Sequence, residues 1–170
     1  MKLISVLAAL LLGLGLGNTL CAAEQGAGPV TIEADQLELN QQSGVSIYQG
    51  NVRMQQQTML LLAERLELHS DQGQVIYAYA DGSPAELEHE DPQTGKVTRA
   101  RALRIEYRFS DGLLELKDDA YLWHAGDEFS GKHLIYESDQ QVVRAFGDKQ
   151  QEGDGRVKVI LQPQKESSSE

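Results

Sequence analysis

Four copies of one eight-residue phrase constrain this chain more than any other feature. Leu61-Leu62-Ala63-Glu64-Arg65-Leu66-Glu67-Leu68 reads bulky, any, small, any, any, leucine, any, bulky. Ile32-x-Ala34-x-x-Leu37-x-Leu39, Thr98-x-Ala100-x-x-Leu103-x-Ile105 and Phe129-x-Gly131-x-x-Leu134-x-Tyr136 repeat it, with Thr98 alone departing from the first bulky position. Residues two apart are alike on either side of the phrase, which is the period of a strand. The step of three in its middle would carry the second pair to the wrong face unless the chain bends there, and a small side chain leaves room for the bend. Each copy is therefore expected to be a bent strand that turns a corner with its apolar side inward.

The segments between the copies follow the same rule. Tyr48, Val52 and Met54 share a side, with Gly50-Asn51 as a kink. Val75, Tyr77 and Tyr79 alternate until Asp81-Gly82-Ser83-Pro84 breaks the run, and Ala85 and Leu87 resume it. Leu103, Ile105 and Tyr107 alternate with Arg104, Glu106 and Arg108; Leu114, Leu116, Ala120 and Leu122 then mirror the Tyr48 to Met54 segment in a second half. Val157, Val159 and Leu161 form a last strand stopped by Pro163. After the leader no stretch shows helical spacing over three turns, so the chain is expected to be all-β. A sandwich, a jelly roll and a stacked solenoid all fit. The small residues of the four phrases lie on average about 32 residues apart, a repeat period that favours a stack of short antiparallel strands with open ends over a closed barrel.

Residues 1–23 are read as a cleaved secretory signal: Lys2, an apolar run from Leu3 to Leu16, then Cys21-Ala22-Ala23. Retention of Leu3 to Leu20 as an anchor, or lipidation of Cys21, are the alternatives. The domain is expected over 24–161, with 162–170 a solvated tail. Cys21 is the single cysteine, so an exported domain would hold together by burial and sheet hydrogen bonds without a disulfide. A formal charge of −11 argues against nucleic acid or a bare anionic membrane as partner, since both attract Lys and Arg.

No catalytic spacing is present: there is no Gly-x-Ser-x-Gly, no phosphate loop and no His-Glu-x-x-His, so neither an enzyme nor a cofactor or metal site is expected. His69, His89, His124 and His133 are scattered and read as solvated strand positions rather than ligands. Glu86, Glu88, Glu90 and Asp91 read as a solubilising hairpin that blunts a sheet edge. What stands out is the inward list: Val30, Ile32, Leu37, Tyr48, Met54, Leu61, Leu66, Tyr79, Leu87, Leu103, Ile105, Tyr107, Leu116, Phe129, Leu134 and Tyr136. Such an interior is either a filled core with tyrosines at its rim or an apolar trough that takes a lipid, and composition does not separate the two.

The ordered set Ile32-Glu33-Ala34-Asp35-Gln36-Leu37-Glu38-Leu39, Tyr48-Gln49-Gly50-Asn51-Val52, Ala63-Glu64-Arg65-Leu66, Gly82-Ser83-Pro84-Ala85, Ala120-Tyr121-Leu122 and Gly155-Arg156-Val157 to Leu161-Gln162-Pro163 resembles the LptA family of periplasmic lipopolysaccharide-export proteins, which carry the OstA-like domain. The chain departs from the pattern at Asp118-Asp119, where a Gly-Asn pair is expected by analogy with Gly50-Asn51, and this puts the kink of that strand in question. The resemblance implies an open, twisted β-jelly-roll whose apolar interior holds lipopolysaccharide acyl chains in the periplasm. It also implies head-to-tail self-assembly into a bridge, docking to LptC at the inner membrane and docking to the N-terminal domain of LptD at the outer membrane. Val30, Ile32, Leu87, Ile105 and Tyr107 match the family's interior contact positions. The ends near Val30 and Ile32, and near Val157, Val159 and Leu161, would be the edges that pair with neighbours by strand addition. A β-stacked structural protein, or a general lipid binder with no bridging role, is the competing reading.

Overall fold

The computed structural model describes residues 28–148 and 155–163. The expected leader and residues 164–170 of the expected tail lie outside the described residues. Among the described residues, ten strands form one antiparallel sheet: β1 (Val30–Glu33), β2 (Gln36–Asn40), β3 (Val45–Gln56), β4 (Met59–Asp71), β5 (Gln74–Glu90), β6 (Val97–Arg108), β7 (Leu113–His124), β8 (Asp127–Glu137), β9 (Val142–Phe146) and β10 (Lys158–Ile160). From β3 to β8 each strand pairs with the next in sequence, while β1 and β2 both pair with β3, and β9 and β10 both pair with β8.

The register slips in the middle of every long pair, between Gln49 and Val52, Leu62 and Arg65, Asp81 and Ala85, Arg101 and Arg104, and Lys117 and Ala120, and β4 and β5 slip again near their hairpin, between His69 and Ser70. The middle slips line up across the sheet and fold it into two leaves. One leaf holds β1, the far halves of β3 to β8, and β10; the other holds β2, the near halves and β9. Strands running one way cross the fold with a step of three, as at Ala63 to Leu66 and Gly131 to Leu134. Of those running the other way, β3 and β7 add a residue and place two in the left-handed region, Gly50 (φ 78°) and Asn51 (φ 46°) in β3, Asp118 (φ 60°) and Asp119 (φ 51°) in β7, whereas β5 crosses through Gly82-Ser83-Pro84 with no residue in that region. The kink of β7 is thus kept despite the missing glycine, because aspartate is among the few side chains that tolerate this conformation.

Each leaf carries an unbroken apolar row from edge to edge. In the first, Ile32, Met54, Leu61, Leu87, Ala100, Leu122, Phe129 and Val159 are successive partners. In the second, Leu37, Tyr48, Leu66, Ala80, Ile105, Leu116, Leu134 and Ala145 are. Where the leaves meet, the core is dry: Leu66, Leu122 and Leu134 are 0% exposed and Leu116 1%. Burying each such leucine stabilises the fold by about 1.5–3 kcal/mol.

Several expectations need correction. The first phrase is two separate strands, broken at Ala34-Asp35, where the Asp35 amide donates to the Gly50 carbonyl at 3.0 Å. β5 runs through Asp81 to Pro84 instead of breaking there. In β6 the phrase lies two residues later than its best sequence match, as Ala100-x-Ala102-x-x-Ile105-x-Tyr107, because the slip follows Ala102. Leu103 therefore points outward, and is 42% exposed. Tyr79, and Tyr77 with it, also lie on the outer face, for Ala78 and Ala80 are the inner partners of Leu68 and Leu66. At the fold line the leaves approach closely enough that Ala80, Ala85, Ala102 and Ala120 fill the inner positions, which leaves no room for a phenol. The two tyrosines instead stack on each other outside, with His69 against the edge of Tyr79. The last strand is shorter than expected, with Val157 and Leu161 beyond its ends.

Candidate functional site

Away from the fold line the leaves diverge and leave a gutter of about 520 Å³. Met54, Met59, Leu61 and Leu87 line it from one leaf, and Ala78, Ala80, Ile105, Tyr107, Leu114 and Tyr136 from the other. Because β3, β4, β5, β6, β7 and β8 all contribute, the gutter runs across the strands. A volume of this size lies within the range of pockets that hold small organic ligands, roughly 300–1,000 Å³. The interior is not plugged by its own side chains. Its mouth is polar: Gln56, Gln57, Asp91, Ser138 and Asp139 ring the opening.

Of the residues expected inside, Met54, Leu61, Leu87, Ile105, Tyr107 and Tyr136 line the gutter itself. Leu66, Leu116 and Leu134 form its sealed floor, and Tyr48, Phe129 and Ile32 pack against that core. Val30 and Leu37 sit on the inner face but at an open edge, 44% and 59% exposed. Tyr79 and Leu103 are absent from the site, being on the outer face. Ala78, Ala80, Thr98 and His89 join it without having been expected there. The alanines that flank the fold on other strands were the available signal for Ala78 and Ala80.

His89 and His124 are not the solvated positions the sequence suggested. His89 and Thr98 are direct partners on β5 and β6, and Thr98 and His124 on β6 and β7, so a polar row runs along the inner rim of one leaf. The Thr98 hydroxyl lies 2.9 Å from His124 Nδ1, and the Tyr136 hydroxyl reaches His124 Nε2 from the opposite leaf at 3.4 Å. Burial, with the Lys96 charge nearby, holds His124 below the ordinary imidazole range, Asp127 opposing. Burial raises both Tyr107 and Tyr136, with Asp139 and Asp111 adding to the first and Asp91 to the second. The phenols therefore stay protonated and able to donate.

The outer face is dressed with ion pairs and hydrogen bonds between charged and polar side chains, most of them across strands. Arg104 grips Asp81 with two bonds of 2.6 and 3.0 Å, Lys117 meets Glu106 at 2.8 Å, and His133 and His69 sit on Glu115 and Glu67. Arg99 lies over Trp123 and Arg101 over Tyr121. Glu88, in the acidic hairpin, pairs with Arg99 at 3.0 Å. These half-exposed pairs contribute about 0–1 kcal/mol each and keep this side wet. The contrast between faces is thus sharp: charge outside, hydrocarbon and a few hydroxyls inside.

Both sheet ends are apolar and open. Most exposed large hydrophobics lie there, Val30, Leu37 and Leu39 at one end, Phe146, Val157, Val159, Ile160 and Leu161 at the other.

Comparison with known proteins agrees with this architecture. A family model described as LptA/(LptD N-terminal domain) LPS transport protein matches residues 31–142. The lipopolysaccharide export system protein LptH of Pseudomonas aeruginosa is 28% identical over 158 residues, which are 91% of this chain and 90% of that protein. The lipopolysaccharide export system protein LptA of Escherichia coli K12 is 29% identical over 139 residues, 79% of this chain and 71% of that one. The crystal structure of LptH, described as the LptA homologous periplasmic component of the lipopolysaccharide transport device, superposes with a TM-score of 0.68 at 28% identity, covering 79% of this chain and 96% of that chain. With a bent antiparallel sheet, an unfilled apolar gutter and a family match over most of its length, this chain belongs to the LptA/LptD N-terminal domain family of lipopolysaccharide transport proteins.

Proposed function

We propose that this chain takes part in lipopolysaccharide export through the periplasm, holding the acyl chains in the gutter while the saccharide stays in water. The observation that carries the reading is the gutter itself, lined by Met54, Leu61 and Leu87 of one leaf and Ile105, Tyr107, Leu114 and Tyr136 of the other, a space these side chains leave empty. A structural β-stack would fill that space. The protein acts by binding and release rather than catalysis, in keeping with an interior of aliphatic and phenolic groups.

The open ends extend the gutter. β1 and β2 at one end, and β9 and β10 at the other, offer edges to which a neighbour adds strands, so that the apolar rows continue into the next molecule. Contacts of this head-to-tail kind do not close, and give a bridge. The same geometry suits LptC at the inner-membrane end and the LptD N-terminal domain at the outer, both as partners of related shape.

A photo-reactive residue tests the reading. Placed at Tyr107 or Leu87 in the gutter it captures lipopolysaccharide in cells, and at Arg104 or Tyr79 on the outer face it does not. Equal capture from both faces overturns the assignment of the interior.

A further inference from the structure

We propose that the gutter contains a polar subsite, formed by Thr98, His124 and Tyr136 with His89 beside them, that selects an acyl chain bearing a hydroxyl group over a plain hydrocarbon chain. The inference rests on the gutter's being an acyl-chain trough and adds to it what kind of chain the trough prefers.

The argument is one of counting hydrogens. His124 is held neutral by its burial, so it carries one N–H. With the hydroxyls of Thr98 and Tyr136, the cluster owns three donor hydrogens, and its geometry provides two bonds, Thr98 Oγ1 to Nδ1 and Tyr136 Oη to Nε2. If Thr98 donates to Nδ1, the Nε2 hydrogen goes to Tyr136 and the phenol hydrogen is spare. If Tyr136 donates to Nε2, the Nδ1 hydrogen goes to Thr98 and the threonine hydrogen is spare. Either tautomer leaves one hydroxyl hydrogen over, and both residues that can carry it line the gutter.

A second, independent group stands next to it. His89, the strand partner of Thr98, has its Nδ1 buried without a hydrogen-bond partner among the described residues, and His89 also lines the gutter. A saturated chain lying here leaves both functions unsatisfied, which is costly in a water-poor site. A carbonyl oxygen accepts only. A hydroxyl both accepts and donates, so it takes the spare hydrogen and answers His89 Nδ1 in whichever tautomer that ring adopts.

The test is displacement of a fluorescent fatty acid from the purified protein by tetradecanoic acid and by its derivatives hydroxylated at the second, third or twelfth carbon. At least one hydroxylated derivative is expected to compete on the order of 5- to 10-fold better than the plain acid, the increment of one or two net hydrogen bonds. In the Thr98→Val, Tyr136→Phe double variant, confirmed as folded by its β circular dichroism, the ratio between the hydroxylated and the plain acid falls to about one, whatever the absolute affinity for either. Equal competition by the plain acid and all its derivatives in the unaltered protein, or a preference that survives the double variant, overturns the subsite while leaving the trough intact. Failure of every acid to displace the reporter overturns the trough, and the subsite with it.

Discussion

Replacing Gly50 by alanine separates two reasons for a glycine at the fold line. The first is conformational: Gly50 sits at φ 78°, a region that costs an ordinary L residue about 1–2 kcal/mol. The second is spatial: a Cβ at Gly50 would lie 2.9 Å from Asp35 Cβ and Cγ and closer still to its carboxylate. That crowding falls on the joint between β1 and β2, where Asn51 Nδ2 also donates to Asp35 Oδ2 at 2.9 Å. Overpacking of this kind costs about 1–3 kcal/mol. Asp118 occupies the same place in β7 at φ 60° without glycine, so conformation alone does not demand Gly50. Gly50→Ala is accordingly expected to lose about 2–5 kcal/mol, a lowering of Tm by roughly 5–15 °C for a domain of this size. A cycle with Asp35→Gly isolates the spatial part: in that background the alanine costs only its conformational share, giving a coupling of about 1–3 kcal/mol. Urea unfolding followed by circular dichroism measures all four proteins. Additivity within about 0.5 kcal/mol would show that Asp35 does not set the requirement, and the close-approach reasoning would fail.

Other perturbations read other parts of the structure. Leu116→Ala removes a side chain 1% exposed between Ile105 and Leu134, and should cost about 2–5 kcal/mol in the same unfolding assay; a loss under about 1 kcal/mol would mean that the floor of the gutter can collapse. Acidification should weaken the fold through His124. Its pKa is depressed in the folded state, so the unfolded chain binds the proton first, and the contribution of the neutral ring, complete above the unfolded value near ~6.5, is lost as pH falls towards the folded one. The Tm should therefore fall between about pH 7 and 5 more steeply in the unaltered protein than in His124→Gln, and coincident profiles would contradict the assignment. Deleting residues 157–170 removes β10 and bares part of β8, and should shift the protein towards monomer in light scattering with its β circular dichroism kept; unchanged mass would show that this end makes no contact between copies.

The phrase built on Leu66 and Leu134 is legible because period two and a small residue at the bend are local demands, and both leucines are wholly buried where the phrase places them. What local pattern does not carry is the position of the fold within a strand. In β6, Ala100 and Ala102 both satisfy the small position, and only pairing with Tyr121 on one side of the slip and Lys117 on the other decides that Leu103 is outside. Tyr79 misleads for a related reason. Its bulk suggests burial, but the inner face at β5 is set by how near the two leaves come, which is a property of the assembled sheet, and Ala78 and Ala80 fit it. The histidines mislead because polarity usually marks the outer face. His89 and His124 lie on the inner rim, where Thr98 and the opposite leaf's Tyr136 give His124 its partners.

Energetics favour a gutter with open ends over a carrier that leaves with its load. An acyl chain of about a dozen carbons is worth roughly 10 kcal/mol against water, at ~0.8 kcal/mol per buried CH₂, so a lipid with several such chains does not escape by dissolving. On the proposed function, an acyl chain sliding along the gutter, past Met54, Leu61 and Leu87 on one leaf and Ile105, Tyr107 and Tyr136 on the other, would move from one apolar side chain directly onto the next and stay out of water. The net cost of a step is then set by the small differences between neighbouring positions, and is least where the row is continuous. In the proposed bridge, a second copy joined at β10 would preserve that continuity, whereas a gap at the junction would restore the full cost of exposure. The same reasoning makes the polar rim a brake: a group that hydrogen-bonds the chain at His89, Thr98 and Tyr136 has no equivalent in the Ile32 or Leu37 rows. Movement past it requires breaking those hydrogen bonds without immediate replacement.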